Sequence, residues 1–222
     1  MISSFANDSI GLPAPECSDN PLGYKFSWSA RGFLLALRNS ASFYQDGKVV
    51  NVAGPDLMAT AKPYQIYPGF AFEAYPNRDS TVYRERYNIP EAETIIRGTL
   101  RFRGFAEFVK VLVDAGFLSD QEQSFLKEPI PWKDAAQKIL NASSSSEEDL
   151  CHAVSSKTTF KDSDEKNQAM TGLKWLGIFS DSKIVPKGNP LDTLCATLQE
   201  KMQFEDGERD LVVCSVKLLL KV

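Results

Sequence analysis

The stretch from Tyr75 to Gly104, YPNRDSTVYRERYNIPEAETIIRGTLRFRG, constrains the fold of this chain more than any other. It joins two strand signals through a polar turn and a short helix. Before it, Gly69 to Tyr75 has the aromatic and apolar content of a buried strand, and Pro76 ends that strand's ladder because proline has no N–H to give. Asn77 to Thr81 then falls at a strand tip. Asp79, Ser80 or Thr81 can cap a helix running through Tyr83, Arg84 and Tyr87, with Pro90 past its end. Thr94 to Gly104 partly alternates, Ile96, Gly98, Leu100 and Phe102 one way, Arg97, Thr99, Arg101 and Arg103 the other. One face of that strand is expected to be cationic.

An arginine fork matches a carboxylate or phosphate through two parallel hydrogen bonds. A strand presenting Arg97, Arg101 and Arg103 beside a tip carrying Arg78 therefore suits a small ligand with several negative charges. The same residues also suit a solvated sheet face, with the arginines paired to Glu73, Glu85, Glu91 or Glu93. The residues alone leave both readings open.

At 222 residues, 43% hydrophobic and 24% charged, the chain can bury a substantial core as one or two domains. A net charge of -4 and a pI near 5.2 argue against nonspecific nucleic-acid binding, which needs a basic surface. No apolar run approaches a membrane span, and MISSFANDSIG lacks a signal peptide's basic and apolar regions, so a cytoplasmic chain is expected. Cys17, Cys151, Cys195 and Cys214 are scattered without CxxC spacing, which supports neither zinc nor a disulfide framework.

Elsewhere, Gly11 to Gly23 is dense in proline and glycine and is expected to be loop. Trp28 and Ser29 stand at a helix entrance, because Phe33, Leu34, Leu37 and Ala41 follow with helical spacing; an anion there, or a plain Ser cap, both fit. Asp46-Gly47 is a hairpin turn into a strand from Lys48 to Val52, and a short helical stretch surrounds Leu57 to Ala59. From Phe105 the chain turns helical. Helices are expected from Phe105 until Gly116, from Trp132 to Leu140, from Leu150 behind acidic capping residues, from Glu165 to Leu176 and from Pro190 to Phe204. Leu211 to Val216 reads as an apolar strand whose partner is not obvious locally.

Enzyme motifs are mostly missing. There is no GxGxxG or GxxxxGK[ST] loop, no GxSxG elbow and no HExxH. The single histidine, His152, is expected at the surface, and its neighbour Cys151 cannot face it on a helix.

The segments GLPAPECSDNPLGYKFSWSARG, LMATAKPY, YPGFAF, YPNRDST, RYNIPEAETIIRGTLRFRGF, EFVKVLVDAGFL, KWLGIFSD and GNPLDTLCATLQEKMQFEDGERDLVV, spread from about Gly11 to Val213, resemble fungal saccharopine reductase. That family is the glutamate-forming, NADPH-dependent saccharopine dehydrogenase of lysine biosynthesis. The resemblance implies an enzyme that condenses 2-aminoadipate 6-semialdehyde with glutamate and reduces the imine with NADPH. It implies substrate-contacting roles for Trp28 and Ser29 in KFSWSARG, for Arg78 in YPNRDST, and for Thr99, Leu100 and Arg101 in RGTLR. Saccharopine carries three carboxylates, which is what arginine forks and a helix entrance would hold.

Departures from the family's pattern shape the remaining expectations. The family's Rossmann segment has no counterpart here, its SYCGG-like strand end is replaced by Phe5 to Ile10, and its LQHKF-like strand by Cys214 to Leu220. An incomplete gene product is therefore expected, inactive alone and with no cofactor of its own. The expected fold is α+β, a mixed or antiparallel sheet with flanking helices plus a helical subdomain. Residues 1–104 would form the substrate-binding portion, 105–208 the helical subdomain and 209–222 a returning strand. The alternative is a nonenzymatic amino-acid-binding module, or a partner that pairs through an exposed sheet edge. Expected partners are saccharopine, glutamate and aminoadipate semialdehyde, not nucleic acid or membrane, with a homodimer left open.

Overall fold

The computed structural model describes residues 3–14, 19–26 and 29–218. Among them seven strands form one mixed sheet: β1 (Ser3–Pro13), β2 (Ala41–Gln45), β3 (Lys48–Val52), β4 (Lys62–Tyr64), β5 (Phe72–Pro76), β6 (Thr94–Phe102) and β7 (Asp210–Leu218). Seven α-helices accompany them: α1 (Ala30–Ala36), α2 (Tyr83–Arg86), α3 (Phe105–Asp114), α4 (Trp132–Leu140), α5 (Glu147–Lys157), α6 (Ser163–Leu176) and α7 (Pro190–Lys201). The α+β expectation is met.

Strand β6 holds the sheet together because each half of it serves a different neighbour. Thr94 to Gly98 runs parallel to Ser3 to Asn7 of β1, while Gly98 to Phe102 runs antiparallel to β5. Ile95 opposes both Ser4 and Tyr44, and Gly98 opposes both Asn7 and Pro76, so β2 and β5 share the edge of β6 away from β1. The β2–β3 hairpin turns at Asp46 and Gly47 with φ of 51° and 77°. Both angles are left-handed, which is why a hairpin selects Asp-Gly there.

Several expectations need correcting. Gly11 to Pro13 is strand, not loop: Leu12 and Pro13 of β1 pair with Leu211 and Asp210 of β7 across a register irregularity. Proline is tolerated there because it ends the strand, and the next ladder contact is made instead by Ala14, whose N–H donates to Arg209 O at 2.9 Å. This pairing also supplies the partner that β7 lacked locally. Helix α1 stops at Ala36, and Ala41, which fits the helical spacing, is instead the buried first residue of β2. No side chain caps α2, whose N-cap is Val82. Asp79 Oδ1 accepts from Thr81 N at 2.8 Å, and Ser80 Oγ accepts from Arg97 N at 2.9 Å, so these groups brace the turn and β6 rather than the helix. Helix α7 ends at Lys201, three residues before Phe204, because Met202 turns its carbonyl to Phe26 N at 2.7 Å.

Helices α5, α6 and α7 begin where side-chain oxygens can satisfy their free N–H groups. Ser146, Asp162 and Asn189 accept from Asp149, Glu165 and Asp192 N at 3.2, 2.8 and 2.8 Å. A continuous hydrophobic cluster runs from Leu22 to Met202 and joins the sheet to the helices. Trp132 Nε1 donates to Thr197 Oγ1 at 3.1 Å inside it, tying α4 to α7. Helices α3 and α6 approach so closely that a Cβ on Gly172 would lie 2.4 Å from the Phe108 ring. Only glycine fits at that crossing.

Candidate functional site

The β5–β6 ladder sets the residues of interest in a fixed order. Glu73 opposes Arg101, Ala74 opposes Leu100, Tyr75 opposes Thr99, and Pro76 opposes Gly98, after which the chain turns through Arg78. From Arg101 to Gly98 is about 10 Å of strand. Period-two alternation would leave one face of such a ladder to solvent, but every residue of β5 is buried, as are Gly98, Thr99, Leu100 and Arg101. Helices α1 and α3 supply aromatic side chains that cover the side carrying Arg101.

Arg101 is therefore a core residue, only 7% exposed. Its guanidinium lies over the rings of Tyr24, Phe33 and Phe105, at 5.2, 5.6 and 5.4 Å from their centroids. Nη1 donates to Leu100 O at 2.7 Å. The faces of three aromatic rings offer a desolvated cation negative potential, worth up to roughly 2 kcal/mol in such a setting. Tyr75, next along β5, is fully enclosed; burial raises the pKa of its phenol and the positive charge of Arg101 opposes that rise.

The expected cationic row is thus taken apart. Arg97 is half-buried, with Nη1 donating to Tyr83 OH at 3.3 Å. Arg103 lies past the end of β6, where it lines a cleft of about 840 Å³ between the start of α3 and the length of α6, together with Glu107, Lys161 and Trp175. Of the acids that could answer these arginines, Glu73 is the one the ladder sets opposite Arg101.

Arg78 is different. Its side chain is exposed, and its backbone is left-handed with φ of 54°, an uncommon conformation for a non-glycine residue. The surrounding backbone holds it there. Ser42 N donates to Arg78 O at 3.0 Å, Ser80 N to Ser42 O at 2.7 Å, and Asn77 N to Arg97 O at 2.9 Å. A tip pinned to β2 and β6 by three main-chain bonds over-determines a strained residue, a pattern that clusters at ligand clamps.

Of the other residues singled out from sequence, Thr99 is buried opposite Tyr75 and Leu100 is wholly within the core. Ser29 is exposed and caps α1, its Oγ accepting from Gly32 N at 3.2 Å. It precedes Phe33, whose ring faces Arg101, by one helical turn, and its carbonyl accepts from Phe33 N at 3.0 Å. Trp28 lies outside the described residues. The structure brings Thr99, Leu100 and Arg101 together on one strand with α1 beside them, and sets Arg78 apart at the far end of the ladder.

Sequence reasoning passed over Glu73 as one surface acid among four. It is 3% exposed, and its Oε1 accepts from Ala106 N at 2.6 Å, so it caps α3 from a neighbouring strand. Burial pushes its carboxyl up to about 7, helped by the charge of Glu107 and opposed by the Ala106 amide. The available signal was an acid inside the apolar run Phe70 to Tyr75. Among the described residues Cys151, Cys195 and Cys214 are unpaired, no three His, Cys, Asp or Glu side chains gather as metal ligands, and no helix is long and apolar enough to cross a membrane.

Comparison with known proteins assigns the fold to a family. The sequence model of the saccharopine dehydrogenase C-terminal domain matches residues 1–221. Saccharopine dehydrogenase [NADP(+), L-glutamate-forming] of Pyricularia oryzae is 70% identical over 216 residues, 97% of this chain and 48% of that protein. Its namesake in Schizosaccharomyces pombe is 61% identical over 219 residues, covering 97% and 49%. The solved structure of apo histidine-tagged saccharopine dehydrogenase (L-Glu forming) from Saccharomyces cerevisiae superposes with a TM-score of 0.93 at 58% identity, over 97% of this chain and 48% of that one. The chain spans about half the length of the curated relatives it matches. Sequence and fold agree along almost its whole length, and the chain belongs to the saccharopine dehydrogenase C-terminal domain family.

Proposed function

We propose that this chain forms the amino-acid-holding part of a glutamate-forming saccharopine dehydrogenase, an oxidoreductase of lysine biosynthesis. The observation that carries the reading is Arg78, an exposed guanidinium on a left-handed tip pinned to two strands, within a chain 70% identical to a relative of that name. A fork fixed in this way can take one carboxylate of a dicarboxylic or tricarboxylic amino acid bidentately. In this reading Thr99 and Ser29 at the entrance of α1 flank the bound molecule, while Arg101 and Leu100 form the wall behind it. Arg101 then acts through long-range positive potential and by holding the wall rigid, since its guanidinium is enclosed by three rings.

The relatives' names include NADP(+), and the described residues offer no turn that fits a dinucleotide. The only parallel strand pair among the described residues is β1–β6, and β1 runs into Pro13 rather than into a glycine-rich turn opening a helix. No hydride step is therefore assigned to these residues. In the proposed reading the cofactor is held by the half of the relatives' length that these 222 residues do not span.

Calorimetric titration of saccharopine into the purified chain, with NADPH titrated separately, tests the proposal. Saccharopine binding that disappears in Arg78→Ala supports it. Saccharopine affinity unchanged by Arg78→Ala, in this chain and in a full-length relative carrying the same substitution, overturns the assignment.

A further inference from the structure

One pair of side chains has no part in the proposed function. Glu73 on β5 and Glu107 in the first turn of α3 lie within hydrogen-bond reach of each other, although two carboxylates have no proton to offer. Glu107 Oε2 is buried and has no hydrogen-bond partner that meets ordinary geometry among the described residues. Its other oxygen accepts from Lys161 Nζ at 3.3 Å. Glu73 Oε1 is occupied by Ala106 N at 2.6 Å. Each carboxyl therefore has one oxygen engaged by an N–H donor, and a proton on the Glu73 carboxyl would satisfy the buried oxygen of Glu107.

We propose that Glu73 and Glu107 share one proton, and that this carboxyl–carboxylate bond is a pH-sensitive clip joining β5 to α3 and, through Lys161, to the entrance of α6. Glu73 is the donor because it is nearly inaccessible to water, whereas Glu107 is partly exposed and keeps its charge beside Lys161. The other charged groups around the pair are Arg101, set opposite Glu73 across the ladder, and Arg103, Asp162 and Glu165, which line the adjoining cleft. Tyr75 lies two residues along the same strand.

The two carboxyls move in opposite directions. Burial, the first cause, raises Glu73 from 4.5 to about 7, while Glu107 falls below 4.5, where burial opposes the change and its own backbone amide, Lys161 and Glu73 drive it. Between pH 4.5 and about 7 the unfolded chain releases the Glu73 proton and the folded chain keeps it. Stability from this group is thus full below 4.5, declines through that window and levels off above about 7. The lowered Glu107 affects stability only as pH falls below 4.5 and leaves the window to Glu73.

Carbon-13 NMR of the side-chain carboxyls of the 222-residue chain tests the proposal directly. The expected result is coupled titration, with one of the two resonances changing near neutral pH and the other below the ordinary carboxylate range. Both resonances titrating as ordinary glutamates overturns it. Urea midpoints measured from pH 4.5 to 8 give a second readout. Glu73→Gln keeps both a donor toward Glu107 and an acceptor for Ala106 N but cannot ionise, so its midpoint should hold level where the wild-type midpoint falls. The variant retains His152, so the difference between the two curves belongs to Glu73; parallel curves would overturn the proposal. Neither readout involves saccharopine, so the clip and the proposed function fail separately.

Discussion

Arg78 and Arg101 look alike in sequence, two arginines on either side of one short helix, and the fold treats them oppositely. Arg78 is held in a strained backbone with its charge in water, whereas Arg101 has an ordinary strand backbone with its charge inside an aromatic box. The first stores strain in order to present a cation, and the second uses its cation to build a wall. What separates them is what packs over each. The side chain at the Arg78 tip is exposed, while Tyr24, Phe33 and Phe105 close over the middle of β6.

The comparison can be broken most forcefully at Arg101. Arg101→Ala removes a buried side chain that three rings enclose, and should cost roughly 3–5 kcal/mol of stability by urea unfolding. A cost below about 1 kcal/mol would mean that the guanidinium is not a core element. Arg78→Ala should do the converse. Saccharopine affinity measured calorimetrically should weaken by roughly 1.5–3 kcal/mol, as for a lost charged hydrogen bond, with unfolding hardly changed. Tyr75→Phe sharpens the contrast from the buried side, since the phenol lies beside Arg101 and its loss should cost about 1 kcal/mol of stability, by the same unfolding measurement. Ser29→Ala should cost about 1 kcal/mol as a lost helix cap. If saccharopine affinity also falls tenfold or more in that variant, Ser29 belongs with Arg78 as well as with α1. The smallest effect belongs to Arg78→Gly. Because glycine accepts a positive φ without penalty, this change should raise the unfolding midpoint slightly while weakening saccharopine binding as much as alanine does.

Local chemistry made much of this molecule legible before any coordinates. The limits of α4 follow from the apolar spacing between Trp132 and Leu140, and Asp46-Gly47 specifies its turn by conformation alone. The tip at Arg78 was visible because Pro76 must end a ladder. The burial of Arg101 was not, because alternation along β6 says which residues share a face and nothing about what will cover that face. Tyr24 and Phe33 come from far earlier in the chain, and Phe105 from just beyond the strand. Glu73 was hidden for the same reason: its partner, the first turn of α3, lies beyond the whole of β6 and comes beside it only after folding. Strand β1 escaped notice because glycine and proline at Gly11 and Pro13 mark loops on average, whereas here they sit at the end of a strand.

The placement of β1 also bears on how the molecule reaches its structure. It lies between β6 and β7, the latter drawn from the opposite end of the chain. The β5–β6 ladder and α3 are close in sequence and can form early at little entropic cost, but the seat of β1 exists only after β6 is in place, and its other edge pairs only when a loop of nearly the whole chain has closed. Until then the edge of β6 that receives β1 offers unpaired amides and carbonyls to any passing strand. The slowest-forming part of the sheet is therefore also the part through which a half-assembled molecule is most exposed to mispairing.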